Sequence, residues 1–174
     1  MAALLYLLQA VVTFVVIAFL LRAIMPLVRA DFRNPLGQAV LRFTDPVIRP
    51  LRKLLGPVGR IDVASFVAVY AAQYAGTTLL RLVAGGGFAP GRTALAAALA
   101  LANNVLFFYS AAIIAYAILS WFGPGGYNPA ARLLSSICEP VLAPVRRLLP
   151  PIGGLDLSPL VVLVLLQAAQ LLLR

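Results

Sequence analysis

The sequence predicts an all-α, polytopic membrane protein with four transmembrane helices, arranged as two parallel helix–amphipathic segment–helix repeats. Three observations lead there. Four stretches of the chain are long and apolar, charged residues make up only 11% of it, and a set of polar residues returns after a fixed offset. A soluble domain carries roughly 25% charged residues. With less than half that share, 174 residues have too much surface to cover with polar groups, and lipid is the solvent that fits.

The first span is expected at residues 2–21, where only Gln9 and Thr13 interrupt the apolar run. Twenty helical residues rise about 30 Å, the thickness of a hydrocarbon core. No Lys or Arg precedes Arg22, so this stretch reads as a retained span and not as a cleaved signal peptide. The second span is expected at 63–80, closed by Arg81, and the third at 93–122, long enough to tilt or project. The fourth, at 157–173, is short but strongly apolar. Residues 1–83 and 95–174 form the two expected repeats, joined by a glycine-rich linker at 84–94. Its glycines lack the following Lys-Ser/Thr and preceding strand of a phosphate loop, so a flexible connection is expected.

Between the spans of each half lies a polar segment, and the two segments superimpose without a gap. Asn34-Pro35 falls on Asn128-Pro129, a shift of 94 residues, and Asp45-Pro46 falls on Glu139-Pro140. Pro50, Arg52, Lys53 and Asp62 meet Pro144, Arg146, Arg147 and Asp156, and Pro57 and Gly59 meet Pro151 and Gly153. Apolar chance could match leucines but not this ordered set, so the chain is a tandem duplication. An even number of spans per unit makes the two copies parallel.

Within each segment, Asp45-Pro46 and Glu139-Pro140 have the composition of helix starts, an acid followed by a proline preset for the first turn. Pro50 and Pro144 then predict a kink or a second short helix. Leu51, Leu54 and Leu55 share one helical face with Arg52 and Lys53 off it, and Arg146 and Arg147 repeat the arrangement. Such a short amphipathic helix suits the headgroup layer, its basic side chains snorkelling to phosphates. Asp62 and Asp156 stand where N-caps of the following helix belong, while an acid beside a span also fits an ion or proton site. Arg52 and Arg146 are their expected ion-pair partners, and the two roles stay open.

The polar residues within or near spans, Gln9, Gln73, Asn103, Asn104, Gln167 and Gln170, are expected to hydrogen-bond between helices. Ala75 and Gly76 would allow close packing there, and Cys138 reads as a small buried residue. With no histidine, one cysteine and no carboxylate pair on one face, the chain is expected not to be an enzyme and to carry no cofactor or metal. The net charge of +9 sits in short loops, which suits a membrane surface and not nucleic acid. Ten basic residues fall in the repeated segments and three on the other side, Arg22 uncounted. The positive-inside rule then puts those segments in the cytoplasm and both termini outside.

The run Asn-Pro … Asp/Glu-Pro-x-x-x-Pro-x-Arg-(Lys/Arg)-Leu-Leu-(Gly/Pro)-Pro-x-Gly-x-x-Asp, once in each half between apolar helices, is similar to the signature of the YggT family, called YlmG in other bacteria and in plastids. The copies depart at Gly56 against Pro150 and at Arg60-Ile61-Asp62 against Gly154-Leu155-Asp156. The resemblance implies a bacterial inner-membrane protein with roles in cell division and nucleoid placement, in cytochrome maturation in plastids, or in osmotic tolerance. On that basis a non-catalytic scaffold or assembly factor is expected. Its repeated motif (Asn34, Pro35, Asp45, Pro46, Pro50, Arg52, Lys53, Asp62 and their counterparts) would meet anionic headgroups and membrane-protein partners. A small ion transporter or channel using Gln73, Gln167, Asp62 and Asp156 is the alternative, and a homo-oligomer is compatible with either.

Overall fold

A computed structural model describes residues 1–31, 34–56, 61–121, 128–149 and 156–173. Pro57, Gly59, Arg60, Pro150, Pro151, Gly153, Gly154 and Leu155 of the motif, with Arg33, Phe122 and Arg174, lie outside them. The described residues form six helices: α1 (Ala2–Leu27), α2 (Pro35–Leu54), α3 (Val63–Val83), α4 (Pro90–Trp121), α5 (Pro129–Leu148) and α6 (Ser158–Leu172). Each half therefore gives a long apolar helix, a 20-residue amphipathic helix, and a second apolar helix.

Three of these, α1, α3 and α4, are long and apolar enough to cross a membrane. At 15 residues α6 rises only about 22 Å, less than a hydrocarbon core. The four-span expectation thus reduces to three helices of full length and one short apolar helix. Helix α4 begins at Pro90, which suits the first turn, so the last residues of the 84–94 segment are helical. Gly85, at φ +80°, ends α3 in the left-handed conformation that a side chain would strain.

The amphipathic helices start earlier than the sequence predicts. Asn34 and Asn128 are the caps: Asn34 Oδ1 accepts from Leu36 N at 2.9 Å, and Asn128 Oδ1 from Ala130 N at 3.0 Å. Asp45 and Glu139 lie in mid-helix, and Pro46, Pro50, Pro140 and Pro144 sit inside continuous helices. The prolines are tolerated because all four are exposed. The carbonyls they leave without a helical partner, four residues earlier, belong to Arg42, Pro46 and Pro140, which are exposed, and to Ser136, which is half-buried.

That buried face, Thr44 and Ile48 in α2 and Leu133, Ile137 and Leu142 in α5, packs on the long helices. Two apolar cores result. One joins Phe19 and Ala23 of α1 to Ile48, Ala64, Ala68 and Val69. The other joins Leu20 and Ile24 of α1 to Phe108, Ile113, Ile137 and Val162. Helix α1 thus carries both, one on each side.

Nothing before Val16 is buried in α1, where Tyr6 is 76% and Phe14 66% exposed. A helix apolar on every side with that much exposed needs an apolar surround.

Helices α1 and α3 pack tightly at Gly76, where a Cβ would run into the Val12 side chain. The counterpart of Gly76 is Gln170, so the second repeat lacks this contact. Gly76→Leu is expected to lose about 1–3 kcal/mol by overpacking. Gly56→Ala, in open space, is expected to stay within about 0.5 kcal/mol. Thermal unfolding of the detergent-solubilised chain, followed by size exclusion, distinguishes the two.

Candidate functional site: the charged clamps at the amphipathic helices

Both amphipathic helices end in a basic pair, Arg52-Lys53 and Arg146-Arg147. Cations suit the last turn, where the helix dipole is negative. One member of each pair also turns inward. Arg52 Nη2 binds Asp62 Oδ2, which also accepts from Ser65 Oγ at 2.7 Å. In the second repeat Arg146 Nε donates to Asp156 Oδ2 at 2.7 Å, and Asp156 Oδ1 accepts from Ser158 N at 2.9 Å. Each pair spans ten residues and ties the end of a polar helix to the start of the following apolar one. The two ion pairs expected from the sequence are therefore both formed.

The capping role divides between the copies. Asp156 accepts a backbone amide at the start of α6, whereas Asp62 stands at the N-cap position of α3 with its side chain on Arg52 and Ser65. The Asp62 side chain is only 8% exposed, and its Oδ1 finds no hydrogen-bond partner among the described residues. Burial alone would raise its pKa, but the bonds from Arg52 and Ser65 outweigh burial and hold it below the usual carboxylate range. Asp156 is lowered in the same way, burial being outweighed by Ser158 and Arg146.

The mid-helix acids differ more. Asp45 binds Arg22 of α1 at 3.1 Å and Arg49 at 2.8 Å. Arg22 is a cation 6% exposed near the end of an apolar helix, and the sequence reading set it aside. Its signal was a lone charge followed by Ala23-Ile24-Met25, which must be paired if the helix continues.

In the second repeat Tyr116 replaces Arg22 and Ala143 replaces Arg49. Glu139 then turns to Arg146 at 2.7 Å, and Arg146 Nη2 also reaches the Tyr116 hydroxyl at 3.4 Å. Burial opposes the Arg146 charge, but Tyr116, Asp156 and Glu139 together raise its pKa.

Hydrogen bonds among the described residues stitch the repeats to each other. Asn34 Nδ2 donates to Pro129 O at 2.6 Å, joining the starts of α2 and α5. Asn104 Nδ2 donates to Gln73 Oε1 at 2.8 Å between α4 and α3, the interhelical bond expected of those residues. Gln9, by contrast, bonds Thr13 of its own helix, and Asn103 is exposed. Lys53, Arg147, Pro46, Pro50, Pro140 and Pro144 are exposed, and Cys138 is buried, its thiol pushed up to about 11 by burial.

Fold and clamps together define a class: a tandem-duplicated helical protein whose apolar helices are pinned at one end by amphipathic helices through paired charges. The chain belongs to the CCB3/YggT family, whose sequence model matches residues 1–83 and 95–174. An uncharacterized Pseudomonas aeruginosa protein is 43% identical over 89% of this chain and 80% of its own length. YggT of Escherichia coli K12, also uncharacterized, is 34% identical over 92% and 84%. The Arabidopsis thaliana protein named YlmG homolog protein 2, chloroplastic, is 36% identical over 41% and 30%. No solved structure matches.

Arg52→Gln leaves Asp62 buried without its cation and is expected to lower stability by about 1–3 kcal/mol. Lys53→Gln is expected to stay within about 0.5 kcal/mol. The sign of the pH dependence follows from the lowered carboxyls. Their stabilisation is complete above the unfolded-state pKa of about 3.9 and is lost as pH falls through the folded-state values. Melting temperatures measured on acidification should therefore drop for the wild type. Asp62→Asn with Asp156→Asn should start lower and fall less.

Proposed function

We propose that the chain is a non-catalytic scaffold or assembly factor of the cytoplasmic membrane, with its two amphipathic helices lying at the cytoplasmic surface as a platform for lipid headgroups and membrane-protein partners. In this reading α6 completes a fourth crossing, helped by local thinning of the bilayer. The repeats run parallel, and both termini are extracytoplasmic. The ten-to-three distribution of basic residues supports that orientation.

One observation carries the proposal. The charged chemistry is gathered on α2 and α5, joined at their starts by Asn34 and clamped at their ends by Arg52 and Arg146. Lys53 and Arg147 stay exposed on the outer side as contacts for anionic groups and partners. Three of the four groups named for a conduction path are engaged elsewhere, Gln73 with Asn104 and Thr77, Asp62 with Arg52 and Ser65, and Asp156 with Arg146 and Ser158, while Gln167 is exposed. The family resemblance supports partners in cell division, envelope or cytochrome assembly.

An alkaline phosphatase fusion at the C-terminus should be active and one inserted after Leu55 inactive; the reverse pattern overturns the orientation. A photo-crosslinking residue at position 53 or 147 should capture discrete membrane-protein partners in living cells. Ion flux through liposomes holding the purified chain, abolished by Asp62→Asn with Asp156→Asn, would instead establish the transporter alternative.

A further inference from the structure

The second repeat contains a cavity of about 840 Å³ between the end of α4 and the outer flank of α5, beside Val28 at the end of α1. It lies where the long helices give way to the amphipathic one. Its polar lining comes from Tyr116, Ser120, Arg132, Ser135, Ser136 and Glu139.

The lining is best understood against the first repeat. There the corresponding acid, Asp45, is held by Arg22 and Arg49 and is 20% exposed. Tyr116 and Ala143 take the places of those two cations, and Ser135 and Ser136 take the places of Leu41 and Arg42. At these counterpart positions the second repeat carries smaller or uncharged side chains in place of a leucine and three arginines. Glu139, with Arg146 on one oxygen, is left 51% exposed at its edge.

The hydrogen-bonding capacity of the lining is divided. Ser120 Oγ donates to Ala117 O at 2.6 Å and Ser136 Oγ to Leu133 O at 2.8 Å. A hydroxyl has one hydrogen, so toward the cavity both can only accept. With the Glu139 carboxylate they offer three acceptors, the number a primary ammonium can use and a quaternary one cannot. Arg132 can only donate, and its guanidinium carries donors for a phosphate in addition to the contact it already makes. Arg132 and Glu139 are seven residues apart on one helix face, about 10 Å along the axis, which leaves room for a dipolar group between them.

We propose that this cavity binds a phosphoethanolamine group, its ammonium on Glu139 and its phosphate on Arg132 and Ser135. The group could come from a phospholipid headgroup or from a free metabolite. The lipid source rests on the membrane placement proposed above; the chemistry of the cavity does not.

The test uses the full chain in mild detergent, with retained lipid read by native mass spectrometry. It is offered equal amounts of dioleoyl phosphatidylethanolamine, phosphatidylcholine and phosphatidylglycerol. Phosphatidylethanolamine should be retained roughly tenfold over either rival, the discrimination of one charge-assisted hydrogen bond.

Glu139→Gln should abolish that preference. So should Ala143→Arg, which recreates the Arg49–Asp45 pair, keeps the fold through it, and fills the cavity. Soluble O-phosphoethanolamine that displaces the lipid identifies a free metabolite as the source; no displacement identifies the headgroup. Equal retention of all three lipids, or a preference unchanged in Ala143→Arg, overturns the proposal. Partner crosslinking at positions 53 and 147 that persists alongside such a result leaves the scaffold reading standing.

Discussion

An arginine two residues before the end of each amphipathic helix, held by an aspartate ten residues on, fixes where the polar helix lies against the apolar ones. The amphipathic helices have apolar faces that would bury equally well after a small slide or rotation, since burial is not directional. A charge pair is directional. It sets register at the one place where the chain passes from helix to helix, and the low exposure of Asp62 makes any other arrangement costly. The cost of a misplaced charge is what gives the assembly a single geometry.

Duplication lets the same constraint be met twice and then relaxed once. The pair to the following helix is kept in both halves, as are the asparagine caps and the tolerated prolines. The mid-helix acid is where the copies part. In the first half Asp45 reaches across to α1 through Arg22, so three elements are locked by two acids and three cations. In the second half one cation, Arg146, serves Glu139 and Asp156 at once, and cavities of about 840 Å³ beside α5 and about 600 Å³ beside α2 flank the two helices.

The apolar helices are legible in the sequence because hydropathy over a long window survives any detail of packing; α3 and α4 lie within three residues of their expected bounds, while α1 runs six residues further, to Leu27. The tandem repeat is legible for a different reason, since proline, glycine and asparagine have backbone roles that do not drift silently. The amphipathic helices are only half legible. Two prolines four residues apart resemble a break, and nothing local in Asp45-Pro46 reveals that Asn34-Pro35 has already started the helix. Only their shared exposure explains why Pro46 and Pro50 are harmless, and exposure is a tertiary fact. Arg22 was obscured by the same limit: a charge at a presumed helix end needs no partner, while one inside a longer helix does.

The distribution of polar links has a mechanical consequence. The charged clamps and the Asn34–Pro129 bond lie at the end of the bundle where the amphipathic helices sit, and the Gln73–Asn104 bond ties α3 to α4. Toward the other end the first fifteen residues of α1 carry no buried side chain and meet α3 through apolar contact, Val12 lying against Gly76. Polar links thus concentrate at the end of the bundle where the amphipathic helices sit, and apolar contact takes over toward the other. That division follows from the burial of charge, because only the clamped end contains groups whose misplacement is expensive.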